Sequence, residues 1–264
     1  MKFAWITDPH FDFISKPQFI NFALDLEEQN LAGLILTGDI SNGPNIKKHL
    51  VWLQRIVGCP VYYVLGNHDR YRSSFAEVNK ITTEINSANL LYLSKESKPI
   101  TLCPKVALIG NDGWYDAYYR IPKTPIIFLL DWYFIKEFKE AKSNQDRLKF
   151  ARQLAHDAAM HVAKNLLEAL KEHDLIFLAT HWPPWPEQYP NWFGLAEKFW
   201  MPYNSSKIMA ETLVNIMDQY PNKKLMVLGG HTHRKRIEKI SHNIELQIGG
   251  VLRGMPEVQS IITL

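Results

Sequence analysis

Three apolar runs in the first 69 residues, each of strand length, stop at a turn bearing side chains able to bind a metal or move a proton. Residues 60–69, PVYYVLGNHD, show the pattern most sharply. Val61, Tyr62, Tyr63, Val64 and Leu65 have no polar alternation, as expected of a strand covered on both faces in a layered α/β domain. Gly66 frees the backbone to turn, and Asn67, His68 and Asp69 follow at once. In open α/β sheets the loops beyond the carboxyl ends of the strands hold the ligand. Taken alone, this turn reads equally well as a polar cap on a core strand.

The same order recurs along the chain. Residues 3–7 run into Asp8-Pro9-His10 and residues 31–36 into Thr37-Gly38-Asp39. Between them, Phe19, Phe22, Ala23 and Leu26 have helical spacing, as do Ile46, Leu50, Leu53 and Val57. This βα alternation predicts a parallel sheet with crossover helices. A further helix is expected over 73–88 and a short strand over 106–109. Residues 115–138 are rich in aromatics without a clean period, and an aromatic and helical insertion is expected around 114–172 of a single domain spanning 1–264. Within that stretch the spacing predicts a helix over 144–173. His156 and His161 lie on or beside its apolar face, but a spacing of five does not stack them, so they read as surface or packing residues.

Residues 175–180 return to a strand that ends at His181, followed by a Pro-rich loop holding Trp182, Trp185 and Trp192. A helix over about 205–219 leads to a strand over 224–228 that ends in Gly229-Gly230-His231-Thr232-His233. Strand-like runs at 244–248 and 260–264 complete the chain.

Composition narrows the functional classes. With 264 residues, 46% of them hydrophobic, the chain can bury a sizeable core. Its 30 basic and 27 acidic residues leave a net charge of +3, too slight for a dedicated nucleic-acid clamp yet compatible with a small anionic substrate. Cys59 and Cys103 form no C-x-x-C pattern, which argues against a disulfide framework and for a reducing, cytoplasmic compartment. Asp8 and His10 interrupt the opening apolar run before a signal-peptide core develops. The most apolar segment, 126–130, falls far short of the roughly 20 residues that span a bilayer, so no membrane association is expected.

The strand ends together present Asp8, His10, Asp39, Asn67, His68, His181, His231 and His233. Oxygen and nitrogen donors without thiolate suit manganese, iron or zinc better than a Cys-based structural zinc site. His231 and His233 alternate sides in an extended segment and so suit two neighbouring ions. Asp39 could bridge those ions through its two carboxylate oxygens.

In sequence order the blocks Asp8-Pro-His10, Gly38-Asp39, Gly66-Asn-His-Asp69, His181 and Gly230-His-Thr-His233 resemble the signature of the calcineurin-like metallophosphoesterase superfamily. The resemblance implies a four-layer α/β/β/α sandwich of two mixed sheets. It also implies that Asp8, His10, Asp39 and His233 bind one metal ion and Asp39, Asn67, His181 and His231 a second, with Asp39 bridging. Two such ions activate a bridging hydroxide and neutralise phosphoryl oxygens during in-line attack. His68 would lie near the scissile phosphate as hydrogen-bond or proton donor, whereas Asp69 either orients it or serves the fold.

Arg70, Arg72, Arg234 and Trp182 are further candidates for substrate contact, each with a surface or packing role as the alternative. The expected reaction is hydrolysis of a phosphodiester in a small or nucleotide-like substrate. Alternatives are a phosphomonoesterase or protein phosphatase, a DNA exonuclease, and a non-catalytic scaffold of the same fold. The protein-phosphatase form G-D-x-x-D-R-G is absent, since Asp39 is followed by Ile-Ser-Asn-Gly.

Overall fold

In the first strand, β1 (Lys2–Ile6), alternate side chains leave on opposite faces, and both faces are buried. The computed structural model describes residues 1–120, 127–187 and 199–264. Ala4 and Ile6 pack with Phe19, Ala23 and Leu26 of α1 (Lys16–Glu27) and with Leu50 and Leu53 of α2 (Ile46–Val57). Phe3 and Trp5 point the other way, into a cluster with Leu108, Phe177 and Leu228 of a second sheet. This double burial explains why the strand runs lack polar alternation.

The first sheet has the order β11-β1-β2-β3-β4, with β2 (Gly33–Thr37), β3 (Val61–Val64) and β4 (Leu90–Tyr92) parallel to β1. The last strand, β11 (Val258–Thr263), runs antiparallel beside β1. The second sheet has the order β5-β6-β7-β8-β10-β9. Its centre, β6 (Val106–Asn111), β7 (Leu175–Thr180), β8 (Lys224–Gly229) and β10 (Ile244–Ile248), is parallel. The edges β5 (Ile100–Cys103) and β9 (Arg236–Lys239) are antiparallel. Both sheets are therefore mixed, and helices cover their outer faces in the expected α/β/β/α order.

The stretch 114–172 is not one insertion. Two short helices, α4 (Asp131–Phe134) and α5 (Lys136–Glu140), follow α3 (Phe75–Ile85) in the chain and belong to an aromatic cluster built on Trp114, Tyr115, Trp132 and Phe138. By contrast α6 (Asn144–Glu172) is the crossover between the parallel strands β6 and β7. Its first half, through Leu148, Ala151 and Ala155, closes the aromatic cluster. Its second half, through Val162, Leu166 and Ala169, packs on the second sheet beside Met209, Leu213 and Met217 of α7 (Lys207–Met217). His161 does packing work, with Nε2 2.9 Å from the Glu96 carbonyl, and His156 is exposed. Cys59 and Cys103 are unpaired. Among the described residues no helix is long and apolar enough to cross a membrane.

One buried histidine gives the fold a pH dependence. The Nδ1 of His49 in α2 lies 2.8 Å from Ser41 Oγ, and burial, helped by Lys48, pushes its pKa down to about 4 from 6.5. Protonation then favours the unfolded chain, so this site's contribution is intact above pH 6.5 and is lost as pH falls toward about 4. His49→Gln is expected to flatten the slope of unfolding free energy against pH in urea titrations across that window. An unchanged slope would assign the acid sensitivity to other groups.

Candidate metal centre

The loops after β1, β2, β3, β7 and β8 all emerge at one end of the sandwich and carry the site. Asp8 and His10 follow β1, Asp39 follows β2, Asn67 and His68 follow β3, His181 follows β7, and His231 and His233 follow β8. Five of these residues have left-handed backbone: Asp8 (φ 47°), His10 (44°), Asp39 (49°), His231 (71°) and His233 (56°). That conformation is unfavourable for non-glycine residues and persists where the surroundings enforce it. Here the loops brace one another. The backbone N–H groups of Asp8 and His10 donate to the carbonyls of Gly38 and Asp39 at 3.0 Å, and the His231 N–H donates to Asp8 Oδ1 at 3.1 Å. Gly66 must be glycine, because a Cβ there would collide with the Asp39 carboxylate.

Two groups of donors converge on Asp39. In the first, one ligand atom from each of Asp8, His10, Asp39 and His233 lies within 4.8 Å of all the others. His10 Nε2 is 3.2 Å from His233 Nε2 and 3.8 Å from Asp39 Oδ2, and His233 Nε2 is 3.2 Å from Asp8 Oδ1. In the second, His181 Nε2 is 3.3 Å from Asn67 Oδ1 and 3.4 Å from Asp39 Oδ1, with the His231 ring centroid 5.1 Å from that of His181. Asp39 thus turns one carboxylate oxygen toward each group.

The second group is oriented from outside the site. His181 Nδ1 donates to the Thr37 carbonyl at 2.9 Å, which turns Nε2 toward Asn67 and Asp39. The Asn67 amide nitrogen is occupied by Asp131 Oδ1 at 2.8 Å and Tyr71 Oη at 3.0 Å, so its Oδ1 faces inward. His181 Nε2, Asn67 Oδ1 and Asp39 Oδ1 thus meet at one point, a donor set that suits a cation. Electrostatics agree. Burial and the adjacent Asp8 charge push Asp39 well above the ordinary carboxylate range. Burial raises Asp8 as well, but the His233 hydrogen bond, His181 and Thr7 outweigh it and hold Asp8 below that range. Burial drives His10 down to about 3 and His231 well below its usual value, so both are neutral donors. Imidazole nitrogens grouped around two carboxylates fit divalent cations.

His68 occupies the mouth. Its ring stacks on Tyr71 at 4.3 Å and meets His10 edge-on at 4.7 Å, while its backbone N–H donates to Asp39 Oδ1 at 2.9 Å. Asp69 points the opposite way, accepting from the backbone N–H groups of Ser41 at 2.7 Å and Gly66 at 2.8 Å. It ties the β2 loop to the β3 loop and does not orient His68. Asp69→Asn leaves one of those buried N–H groups facing an amide and is expected to cost about 2 kcal/mol of stability. Chemical denaturation would read this, and a loss within a few tenths of a kcal/mol would remove the clamp from the account.

The sequence pattern of the calcineurin-like phosphoesterase family matches residues 1–235. The chain belongs to the calcineurin-like phosphoesterases. No curated protein sequence matches it. Among solved structures, it resembles the phosphopantetheinyl hydrolase of Mycobacterium tuberculosis with a TM-score of 0.65 at 14% identity, over 94% of this chain and 89% of that one. It resembles a dimetal phosphatase from Danio rerio with a TM-score of 0.54 at 13% identity, over 95% and 87%. GAP50, the anchor in the inner membrane complex of Plasmodium, gives 0.51 at 14% identity, over 95% and 71%. At these identities the likeness is one of fold.

In this phosphoesterase the substrate contacts expected from sequence are largely elsewhere. Arg70 is buried, with Nη2 2.7 Å from Asp112 Oδ2 and its guanidinium 4.1 Å from the Phe75 ring centroid. Because Asp112 also accepts from the Leu65 N–H at 2.8 Å, this pair joins the ends of the two sheets. Trp182 is buried behind the site, stacked on His231 at 4.5 Å and against Trp114 at 4.2 Å, and so backs an imidazole and leaves no face for a nucleobase. Arg234 projects from the rim with Nη1 3.8 Å from Glu187 Oε1. Arg72 lines a separate cavity with Tyr133, Phe134 and Lys136. Trp185 is half-buried against the second sheet, and Trp192 lies outside the described residues.

Three residues of consequence escaped sequence reasoning. Asp131 orients Asn67 from 64 positions away and also accepts from Tyr71 Oη at 2.8 Å. Tyr71 joins that network while supporting His68. Arg253, in the loop after β10, lines the cavity of about 300 Å³ that opens over Asp39, Asn67, His68 and His233. An Arg-Gly pair between two strand-like runs is the signal that could have pointed to it.

Proposed function

We propose that this chain hydrolyses a phosphodiester in a small or nucleotide-like substrate at a dinuclear metal centre. Asp8, His10, Asp39 and His233 would hold one ion and Asp39, Asn67, His181 and His231 the other. The observation that carries this reading is the convergence of Asn67 Oδ1 and Asp39 Oδ1 within 3.4 Å of His181 Nε2, beside the first donor cluster. When bound, the ions supply water activation and charge neutralisation on the phosphoryl group.

The protein's own residues do the rest. His68, in the open mouth of the site, presents a ring nitrogen to the phosphoryl or leaving-group oxygen, held at its angle by the Tyr71 stack. Thr37 fixes the tautomer of His181 and Asp131 fixes the amide of Asn67, so the ligands need no rearrangement. Trp182 and Trp114 close the rear of the site to water. Beyond the ions, Arg253 is the one fixed cation among the cavity's described lining residues, a modest positive charge that suits a diester monoanion better than a monoester dianion. The unpaired cysteines favour a reducing, cytoplasmic setting.

The test is a substrate panel on Mn²⁺-loaded protein: an aryl phosphodiester, the matching monoester, cyclic nucleotides, linear dinucleotides and single-stranded DNA. The diester is expected to exceed the monoester in kcat/KM by at least about tenfold. The reverse ratio would make the protein a phosphomonoesterase. Processive release of nucleotides would make it an exonuclease, and no turnover with both ions bound would make it a scaffold.

A further inference from the structure

We infer that Arg253 is the phosphate-holding side chain of this site, binding a non-reacting phosphoryl oxygen in the cavity it shares with Asp39, Asn67 and His68; the inference rests on the phosphoester-hydrolase reading above. Arg253 lies beyond residue 235, where the match to the family pattern ends, in the loop between β10 and β11.

That loop is built to present it. Gln259 fastens the base, accepting from the Gly250 N–H at 3.0 Å and donating to the Gly250 carbonyl at 2.9 Å. At the tip, the Met255 N–H donates to the Leu252 carbonyl at 2.9 Å and Gly254 has φ 82°. These are the marks of a type II turn with glycine at its third position, which leaves Arg253 at the second, projecting position. The guanidinium lies 5.1 Å from the Phe13 ring centroid, and the Phe13 ring in turn meets His10 edge-on at 5.8 Å. Phe13 therefore carries the charge over a residue of the metal centre. Among the described residues Arg253 has no carboxylate within ion-pair distance, although its charge acts on Asp12, so its planar donors can meet an anion in the cavity it lines. A guanidinium is permanently charged and matches two phosphoryl oxygens at once, a geometry that lysine cannot reproduce.

The experiment compares wild type, Arg253→Ala and Arg253→Lys, all loaded with Mn²⁺. It measures bound metal, kcat/KM for the aryl phosphate ester the wild type prefers, and the competitive inhibition constant of inorganic phosphate. Arg253→Ala is expected to keep its metal, to weaken phosphate inhibition by about tenfold or more and to lower kcat/KM by roughly 10- to 100-fold, with Arg253→Lys between. Wild-type inhibition and turnover in Arg253→Ala would overturn the assignment while leaving the hydrolase reading intact. Loss of metal in that variant would also overturn it, since Arg253 would then serve the metal centre. A wild type that holds metal but hydrolyses no phosphate ester would overturn the hydrolase reading, and this inference with it.

Discussion

Asp39→Asn is expected to lower metal occupancy at both ions and to reduce kcat/KM by roughly 10³-fold or more, equivalent to about 4 kcal/mol of transition-state stabilisation. Asp39 is the one side chain shared by the two donor groups, with Oδ1 3.4 Å from His181 Nε2 and Oδ2 3.8 Å from His10 Nε2. The amide keeps the size of the carboxylate and can still accept from the His68 N–H, so the loops should hold their shape. What it loses is the negative charge and one acceptor, and its NH₂ must then point at an imidazole lone pair where a cation belongs. Elemental analysis of the purified variant beside circular dichroism separates this from unfolding. Full occupancy in a folded Asp39→Asn protein would refute the bridging role.

His68→Ala should behave in the opposite way, retaining both ions and lowering kcat by about 10²-fold or more. His68 touches the centre through its backbone N–H to Asp39 and through ring packing on Tyr71 and His10, and its side chain stands in the open cavity. Truncation therefore removes the proposed donor to the substrate while leaving both candidate donor groups whole. His68→Gln adds a discriminating measurement: an amide can donate a hydrogen bond but cannot transfer a proton at neutral pH. Recovery of most of the lost kcat by Gln would assign His68 to hydrogen bonding, and no recovery would assign it to proton transfer. An unchanged kcat in both variants would remove His68 from the chemistry.

The fold and the gathering of the candidate donor residues at one end of it are legible because each rests on local pattern. Unbroken apolar runs mark strands buried on both faces, and a strand buried in a sandwich must end at a turn, so Asp8, Asp39, Asn67, His181 and His231 could be placed at strand ends from spacing alone. Direction was not legible. His68, Asp69 and Arg70 are consecutive in one 3-10 turn, yet they face the cavity, the backbone of the neighbouring loop and Asp112 respectively. Nearness to a motif made Arg70 and Trp182 look like substrate contacts, whereas the turn geometry sends both into the core.

Asp131 illustrates a second limit. It sits in an aromatic tract without period, and its link to Asn67 exists only once that tract folds over the β3 loop. The extent of an insertion is hidden for a related reason: an amphipathic helix looks the same whether it covers a central sheet or a lid, and only the pairing of β6 with β7 shows α6 to be a crossover.

The most direct test of the account is the number and position of the ions. Crystals of the protein grown with Mn²⁺ and measured at the manganese absorption edge should show two anomalous peaks. One would be surrounded by Asp8, His10 and His233, the other by Asn67, His181 and His231, with Asp39 touching both. A single peak, or two peaks that do not share Asp39, would contradict it.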